Sequence, residues 1–344
     1  MTIQNRKPEF IAEVSANHLG SIDRAKQIVL AASKAGATAV KFQTYTADTM
    51  TLNIDSQIFR VSGDHKLWGG SKLHDLYRSA YTPWEWHSEL FTLCRDLGVK
   101  PFSSPFDATA VEFLESLDAP MYKIASLETG DLELIKLVAE TGKPLIISTG
   151  ATEWDEIEDL VNVVKKTGNN DLTLLVCTSS YPSIPVDAHL KRIATLQEYF
   201  GLKIGVSDHT LGIGVSIAAI ALGATVIEKH LTLSRDDGGF DGAFSMEPHE
   251  FELLVKEGNS AFESLGRSEW LIQDSELESR RLRRSLFIVK NVKKGDVISS
   301  ENIRAIRPGN GCSPKHLSNL IGKYFATDYE LGTPMEISFA VNEK

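Results

Sequence analysis

Two lysines, Lys41 and Lys123, stand inside apolar runs, TAVKFQ and MYKIAS. A buried ammonium is costly unless it is paired or put to use. Lysines set among serine hydroxyls and backbone N–H groups at helix starts suit a phosphate and a carboxylate. Two other uses fit the same residues: a Schiff base with a carbonyl substrate, as in class I aldolases, and a plain pair of structural salt bridges. His209 and His230 form a second constellation. Two imidazoles with a water or a carboxylate suit a borderline divalent ion such as Mn, Co or Zn, although histidines satisfied by structural hydrogen bonds are common. Asp241 follows in the Gly-rich, acidic stretch RDDGGFDGAFS. There it could ligate a metal indirectly, bond a polyol, or be an ordinary turn residue.

These residues need elements to hold them. Short apolar runs recur at 10–16, 38–43, 100–104, 121–126, 144–149, 172–178, 203–207 and 225–230, with helix-like stretches between them. Eight strand candidates, each followed by a helix candidate, are the pattern of a (β/α)8 TIM barrel, an α/β fold. The runs are nearly continuous in apolar character, as buried parallel strands should be. The alternative is a doubly wound open sheet, and no GxGxxG follows the first run to favour its dinucleotide-binding form. In a barrel, chemistry sits at the C-terminal ends of the strands. Each run delivers polar groups to that end: Glu13 and Ser15; Lys41 and Gln43; Ser103 and Ser104; Lys123 and Ser126; Ser148 and Thr149; Thr178, Ser179 and Tyr181; Ser207 and His209; Glu228, Lys229 and His230. A single serine after a strand is usually an N-cap. Eight coincident polar ends are better read as a site.

Among the helices, 21–35 puts Ile22, Ala25, Ile28, Val29 and Ala32 on one face. The stretch 151–166 opens with Thr152 and Asp155, a loose capping box. Residues 46–82 have weak periodicity and read as a long loop before a helix over 84–97, either a functional lid or a packed excursion. From 266 the texture changes. A charged linker, 266–284, leads to a compact β-rich unit of about 60 residues, 285–344, following a first domain of 1–265.

Composition narrows the field. The 344 residues are 42% hydrophobic and 24% charged, an ordinary globular balance. A net charge of −10 argues against general affinity for a phosphate backbone, so no nucleic-acid partner is expected. Three scattered cysteines, Cys94, Cys177 and Cys312, make neither a disulfide framework nor a Cys-type zinc site. No run reaches the length of a membrane span, and MTIQNRKPEF lacks an apolar signal core. The expectation is a soluble, reduced, cytoplasmic protein with no membrane partner.

At these same residues the chain resembles the sialic acid synthase family, which condenses phosphoenolpyruvate with an amino sugar. The segments that carry the resemblance are IAEVSANHLGS, AGATAVKFQTYT, PFSSPFD, YKIASLE, PLIISTG, CTSSYP, GVSDHTLG and IEKHLTL. The last 60 residues, with RPGNG, resemble the family's antifreeze-like (SAF) domain. Within the family the likeness is closest to the pseudaminic acid synthases, through KFQTYTADTMTL, LWGGSKLHDLYRSAYTPWEWH, FSSPFD and CTSSYP. The N-acetylneuraminate branch usually has Asn where this chain has Ser179, and TPF where it has Ser104, Pro105 and Phe106; the legionaminate branch is not separated by these departures.

The resemblance implies that Lys41, Ser104, Lys123, Ser126, Ser148, Ser179 and Ser207 hold phosphoenolpyruvate. It implies that His209 and His230 bind a divalent metal, Mn2+ first with Mg2+ or Co2+ as alternatives. Glu13 would be a catalytic carboxylate, and Gln43, Tyr181 and Asp241 would face the sugar, a diacetamido hexose. Arg307 would reach the sugar's N-acyl group in the partner subunit's barrel, which implies a domain-swapped homodimer. The product would serve flagellin or surface-glycan modification. The Schiff-base aldolase remains a rival enzyme reading, and a sugar- or ice-binding module a rival without catalysis.

Overall fold

The computed structural model describes residues 6–63 and 68–343. The signal-core reading of residues 1–5 and Leu67 of the LWGG segment lie outside them. The chain divides into two compact units, 1–266 and 267–344.

The first unit is a closed barrel of eight parallel strands in sequence order. They are β1 (Glu9–Glu13), β2 (Ala39–Thr44), β3 (Lys100–Pro105), β4 (Tyr122–Ile124), β5 (Leu145–Ser148), β6 (Leu172–Cys177), β7 (Lys203–Ser207) and β8 (Val226–His230). Pairing of β8 with β1, Val226 opposite Glu9 through His230 opposite Glu13, closes the ring. The helices are α1 (Ile22–Lys34), α2 (Ala47–Met50), α3 (Leu73–Ala80), α4 (His87–Asp96), α5 (Ala108–Ser116), α6 (Leu132–Glu140), α7 (Trp154–Lys166), α8 (Arg192–Phe200), α9 (Gly214–Ala221) and α10 (Pro248–Ser264). The open-sheet alternative is thereby excluded.

Strand side chains alternate between faces, and this period builds the site. One apolar cluster fills the barrel interior: Ile11, Ala39, Phe102, Met121, Ile146, Leu175 and Val226. On β7 the same level is taken by Gly205, where a Cβ would lie 2.4 Å from the Val226 carbonyl oxygen. Two residues further along each chain segment come Glu13, Lys41, Ser104, Lys123, Ser148, Cys177, Ser207 and Glu228. A polar layer therefore sits directly on an apolar one. The opposite strand faces pack on the helices. On α1, for example, Ala25, Ile28, Val29 and Ala32 are buried in the large outer cluster.

Two local expectations change. Helix α7 starts later than the Thr152/Asp155 box implied. Glu153 is its N-cap, and Glu156 Oε2 accepts from the Glu153 N–H at 2.7 Å. Thr152 instead donates to the Gly150 carbonyl. Asp is too short to reach back over that turn, whereas Glu is long enough. The excursion 46–82 is not one loop; it contains α2 and α3.

The second unit has α11 (Leu277–Arg281), β9 (Ser285–Ile288), β10 (Ile303–Ile306), α12 (Leu317–Leu320), β11 (Tyr324–Phe325) and β12 (Ala340–Val341). β9 pairs antiparallel with β10, and β11 with β12. Its core is Leu286, Ile288, Val292, Ile298, Ile303, Leu320, Phe325 and Met335. Among the described residues no helix is long and apolar enough to cross a membrane.

Candidate active site

The polar layer holds four buried charges. Lys41 Nζ lies 2.8 Å from Glu13 Oε2 and 3.6 Å from Glu228 Oε1. Lys123 Nζ lies 3.0 Å from Glu228 Oε1. Ser207 donates to the same Glu228 oxygen at 3.1 Å, and Lys41 reaches Ser104 Oγ at 3.5 Å. Gln43 Nε2 donates to Glu13 Oε1 and to Ser15 Oγ, each at 3.1 Å. Burial opposes ionisation of Glu228, but Lys123 and Lys41 outweigh it and bring the carboxyl down to about 2. Burial raises the Glu13 carboxyl, and Lys41 offsets this only in part. Burial also lowers the Lys123 ammonium despite Glu228. For Lys41, Glu13 and Glu228 together outweigh burial, and the ammonium is held more tightly protonated. Two cations and two anions out of water cost several kcal/mol per ion before pairing. A cluster this expensive is suited to a charged ligand.

Next to the lysines are polar atoms without partners. Ser148 Oγ, Ser179 Oγ, Glu128 Oε2 and His230 Nδ1 are buried and make no hydrogen bond. Such atoms cost free energy unless something meets them. Ser126 Oγ accepts from the Gly150 N–H at 3.0 Å. A Cβ on Gly150 would sit 2.4 Å from Ser179 Oγ, 2.9 Å from Ser126 Oγ and 3.1 Å from Cys177 Sγ. Glycine is thus what lets these three side chains converge.

His209 and His230 face each other with ring centroids 5.4 Å apart. His209 Nδ1 donates to the Thr178 carbonyl at 3.0 Å, which leaves Nε2 as the nitrogen available to a ligand once the ring is neutral. Burial, then His209 and Lys41, push His230 well below its ordinary value, so its imidazole is neutral. Asp241 Oδ2 lies 4.0 Å from His230 Nδ1 and accepts from the Ser15 hydroxyl. A neutral imidazole with a buried nitrogen that makes no hydrogen bond, beside a second that presents Nε2, fits a borderline divalent cation, which would displace any proton there. Among the described residues no set of three His, Cys, Asp or Glu converges there. Water or substrate would have to fill the other positions.

The loop carrying His209 is held from outside the barrel. Lys229 points away from the interior and donates to the Thr210 and Gly212 carbonyls at 2.5 and 3.1 Å. It also pairs with Asp208 at 3.2 Å. Asp208 in turn accepts from Thr210 and Ser216.

Above this floor opens a cavity of about 390 Å³. Of the residues expected from sequence, Lys41, Gln43, Lys123, Ser126, Ser148, Tyr181, Ser207, His209, His230 and Asp241 line it. The Tyr181 ring packs 4.5 Å from that of His209. Glu13 is fully buried beneath Lys41 and Gln43 and does not reach the cavity. Ser104 lies behind Lys41, and Ser179 stands against Gly150. Arg307 is exposed on the second unit. Ser15 and Glu228, named among the polar strand ends but given no role, also line the cavity, as do Glu128 and Cys177, which sequence reasoning passed over. Counting two residues beyond the interior apolar layer would have found Cys177 and set Glu228 in the same layer as the lysines. No sequence signal marks Glu128, whose carboxyl burial raises to about 7 against the pull of Lys123.

Known proteins resemble the chain in sequence and fold. A family model described as NeuB family matches residues 28–269, and a SAF domain model matches 283–335. The chain is 41% identical to a pseudaminic acid synthase of Campylobacter jejuni, covering 97% of each chain. It is 43% identical to one of Helicobacter pylori, over 95% of this chain and 96% of that one. It is 36% identical to an N,N'-diacetyllegionaminic acid synthase of Legionella pneumophila, over 95% and 92%. The crystal structure of an N-acetylneuraminic acid synthetase from Leptospira borgpetersenii, in complex with citrate, superposes with a TM-score of 0.71 at 31% identity, covering 80% of this chain and 90% of that one. With that family model spanning most of the barrel and relatives aligned along nearly its whole length, the chain belongs to the NeuB family.

Proposed function

We propose that the chain is a pseudaminic acid synthase. It joins C3 of phosphoenolpyruvate to the aldehyde carbon of open-chain 2,4-diacetamido-2,4,6-trideoxy-L-altrose, adds water at C2, and releases phosphate by C–O cleavage. The observation that carries this reading is near-full-length identity of 41% and 43% to proteins of that name, against 36% for a legionaminic acid synthase.

The polar layer supplies the chemistry the reading needs. Lys41 and Lys123 offset the anion's charge and orient it, catalysis by positioning and electrostatics. The free hydroxyls of Ser148 and Ser179, with those of Ser126 and Ser207, bond its oxygens. Ser104 steadies Lys41. His209 and His230 would hold a divalent metal, Mn2+ first and Mg2+ or Co2+ as alternatives, which when bound supplies Lewis-acid polarisation of the aldehyde. Gln43, Tyr181 and Asp241 bind the sugar. Glu13, below the cavity, positions Lys41 and Gln43. Glu13 is the proposed carboxylate for moving the water's proton or assisting aldehyde formation, and Glu128, which lines the cavity, is the alternative. Arg307 acts from the SAF domain of a partner subunit in a domain-swapped homodimer working in the cytoplasm.

The test is phosphate release from phosphoenolpyruvate with Mn2+, offering the L-altro diacetamido sugar, its D-manno isomer and N-acetylmannosamine separately. Preference for the L-altro sugar is expected. Preference for a manno sugar would keep the condensation and move the chain to the legionaminate or sialate branch. A borohydride-trapped pyruvate adduct would overturn the mechanism in favour of a Schiff-base lysine.

A further inference from the structure

Helix α3 places Leu73, Leu76, Tyr77 and Ala80 at i, i+3, i+4 and i+7, a single face. Such a stripe normally packs on the core. Here all four residues line the cavity and are only half-buried, and none belongs to the barrel's hydrophobic clusters. Met50 of α2 and Val61 extend the same wall. The opposite face, with Asp75, Arg78 and Ser79, is exposed. The wall is fixed in place. His74 Nε2 meets Asp48 Oδ1 at 2.9 Å, Tyr77 packs edge-on against Tyr45 with centroids 5.8 Å apart, and Lys72 Nζ donates to Asn53 Oδ1 at 2.6 Å. Apart from the Tyr77 hydroxyl, the α3 stripe offers a ligand no side-chain hydrogen-bonding group.

We propose that this wall, chiefly Leu73, Leu76 and Ala80, reads the C6 methyl of the sugar and selects a 6-deoxy sugar over its 6-hydroxy counterpart. The inference rests on the synthase reading above. The reacting aldehyde carbon must lie at the floor, near the lysines and histidines. C6 is the far end of the open chain and so points toward the mouth. The excursion bearing α3 follows β2 and stands at that mouth. A methyl group there buries against leucine carbons. A hydroxyl there gives up water and finds no partner on Leu73, Leu76 or Ala80.

The measurement is kcat/KM for 2,4-diacetamido-2,4,6-trideoxy-L-altrose and for the same sugar carrying a 6-hydroxyl, in the wild type and in Leu73→Asn, Leu76→Asn, Ala80→Ser and Leu76→Met. The wild type should prefer the deoxy sugar about 10- to 100-fold. The two Asn variants should bring the ratio toward parity and Ala80→Ser should shift it the same way, with the KM for phosphoenolpyruvate unchanged. Leu76→Met should keep the preference. Melting temperatures confirm that each variant is folded. Equal use of both sugars by the wild type, or an unchanged ratio in folded Asn variants, would overturn the wall's role and leave the synthase reading standing. No phosphate release with either sugar would overturn the synthase reading and this inference with it.

Discussion

Glu128 is the residue whose proton should be visible near neutrality. Burial raises its carboxyl from 4.5 to about 7, with Lys123 opposing. Between those values the folded chain holds a proton that the unfolded chain has released. The residue's contribution to stability therefore falls as pH rises through that window. Glu128→Gln should flatten the fall and raise the melting temperature above pH 7 relative to wild type; thermal melts of both proteins across pH 4 to 8 read the difference. Taking that difference matters, because His18 and His87, each lowered to about 4 chiefly by burial, work in the opposite sense. They lose stability as pH falls below about 6.5. Lys123→Ala should raise the KM for phosphoenolpyruvate or abolish turnover, since it removes one of two cations and leaves buried Glu228 with Lys41, 3.6 Å away, as its one remaining lysine partner. Lys41 and Lys123 were legible in the sequence because a charge inside an apolar run is anomalous. Glu128 was not, because a carboxylate at the end of a single helical turn, Ser126–Glu128, is ordinary, and only the fold shows that its oxygen is buried and unmatched.

At the scale of elements, the barrel was legible because eight apolar runs alternate with amphipathic stretches. The strand ends could be named because buried parallel strands break to polar residues only where they leave the core. Helix α3 escaped notice. It is only eight residues long, and its apolar stripe is interrupted by His74 and Asp75, so periodicity over a usual window is weak. The start of α7 was misplaced by one residue because both Thr152 and Glu153 precede a suitable acid, and side-chain reach decided between them. Strand β7 is tightly packed at Gly205. An alanine at Gly205 would press its Cβ to 2.4 Å from the Val226 carbonyl and 2.6 Å from Leu175 Cδ2. Neither backbone nor interior leucine can yield cheaply. Gly205→Ala should cost about 3 kcal/mol, seen as a lower urea midpoint, and should also weaken phosphoenolpyruvate binding by displacing Ser207.

On the scale of the whole molecule, charge is divided unevenly. Residues 267–344 contain 13 of the 36 basic residues and 10 of the 46 acidic ones, leaving +3 on the second unit and −13 on the first. If Arg307 works in a partner's barrel, Arg307→Ala should raise the sugar KM far more than that of phosphoenolpyruvate. Equal losses in both, or a monomer by light scattering at working concentration, would count against exchanged domains. That role was readable only through resemblance, since no local signal sets Arg307 apart from Arg304 or from the arginines of SRRLRRS. The four buried charges of the floor have a thermodynamic consequence of their own. Lys41, Lys123, Glu13 and Glu228 sum to zero, so a multiply charged anion entering the cavity makes it negative, and every carboxyl nearby then grips its proton harder. Binding should therefore draw protons from solution. Calorimetry of phosphoenolpyruvate binding near pH 7.5, repeated in phosphate-free buffers with different ionisation enthalpies, should give heats that vary linearly with that enthalpy, with a slope of the sign of uptake and smaller in Glu128→Gln. The affinity of the enzyme for its anion would then weaken as the solution becomes more alkaline.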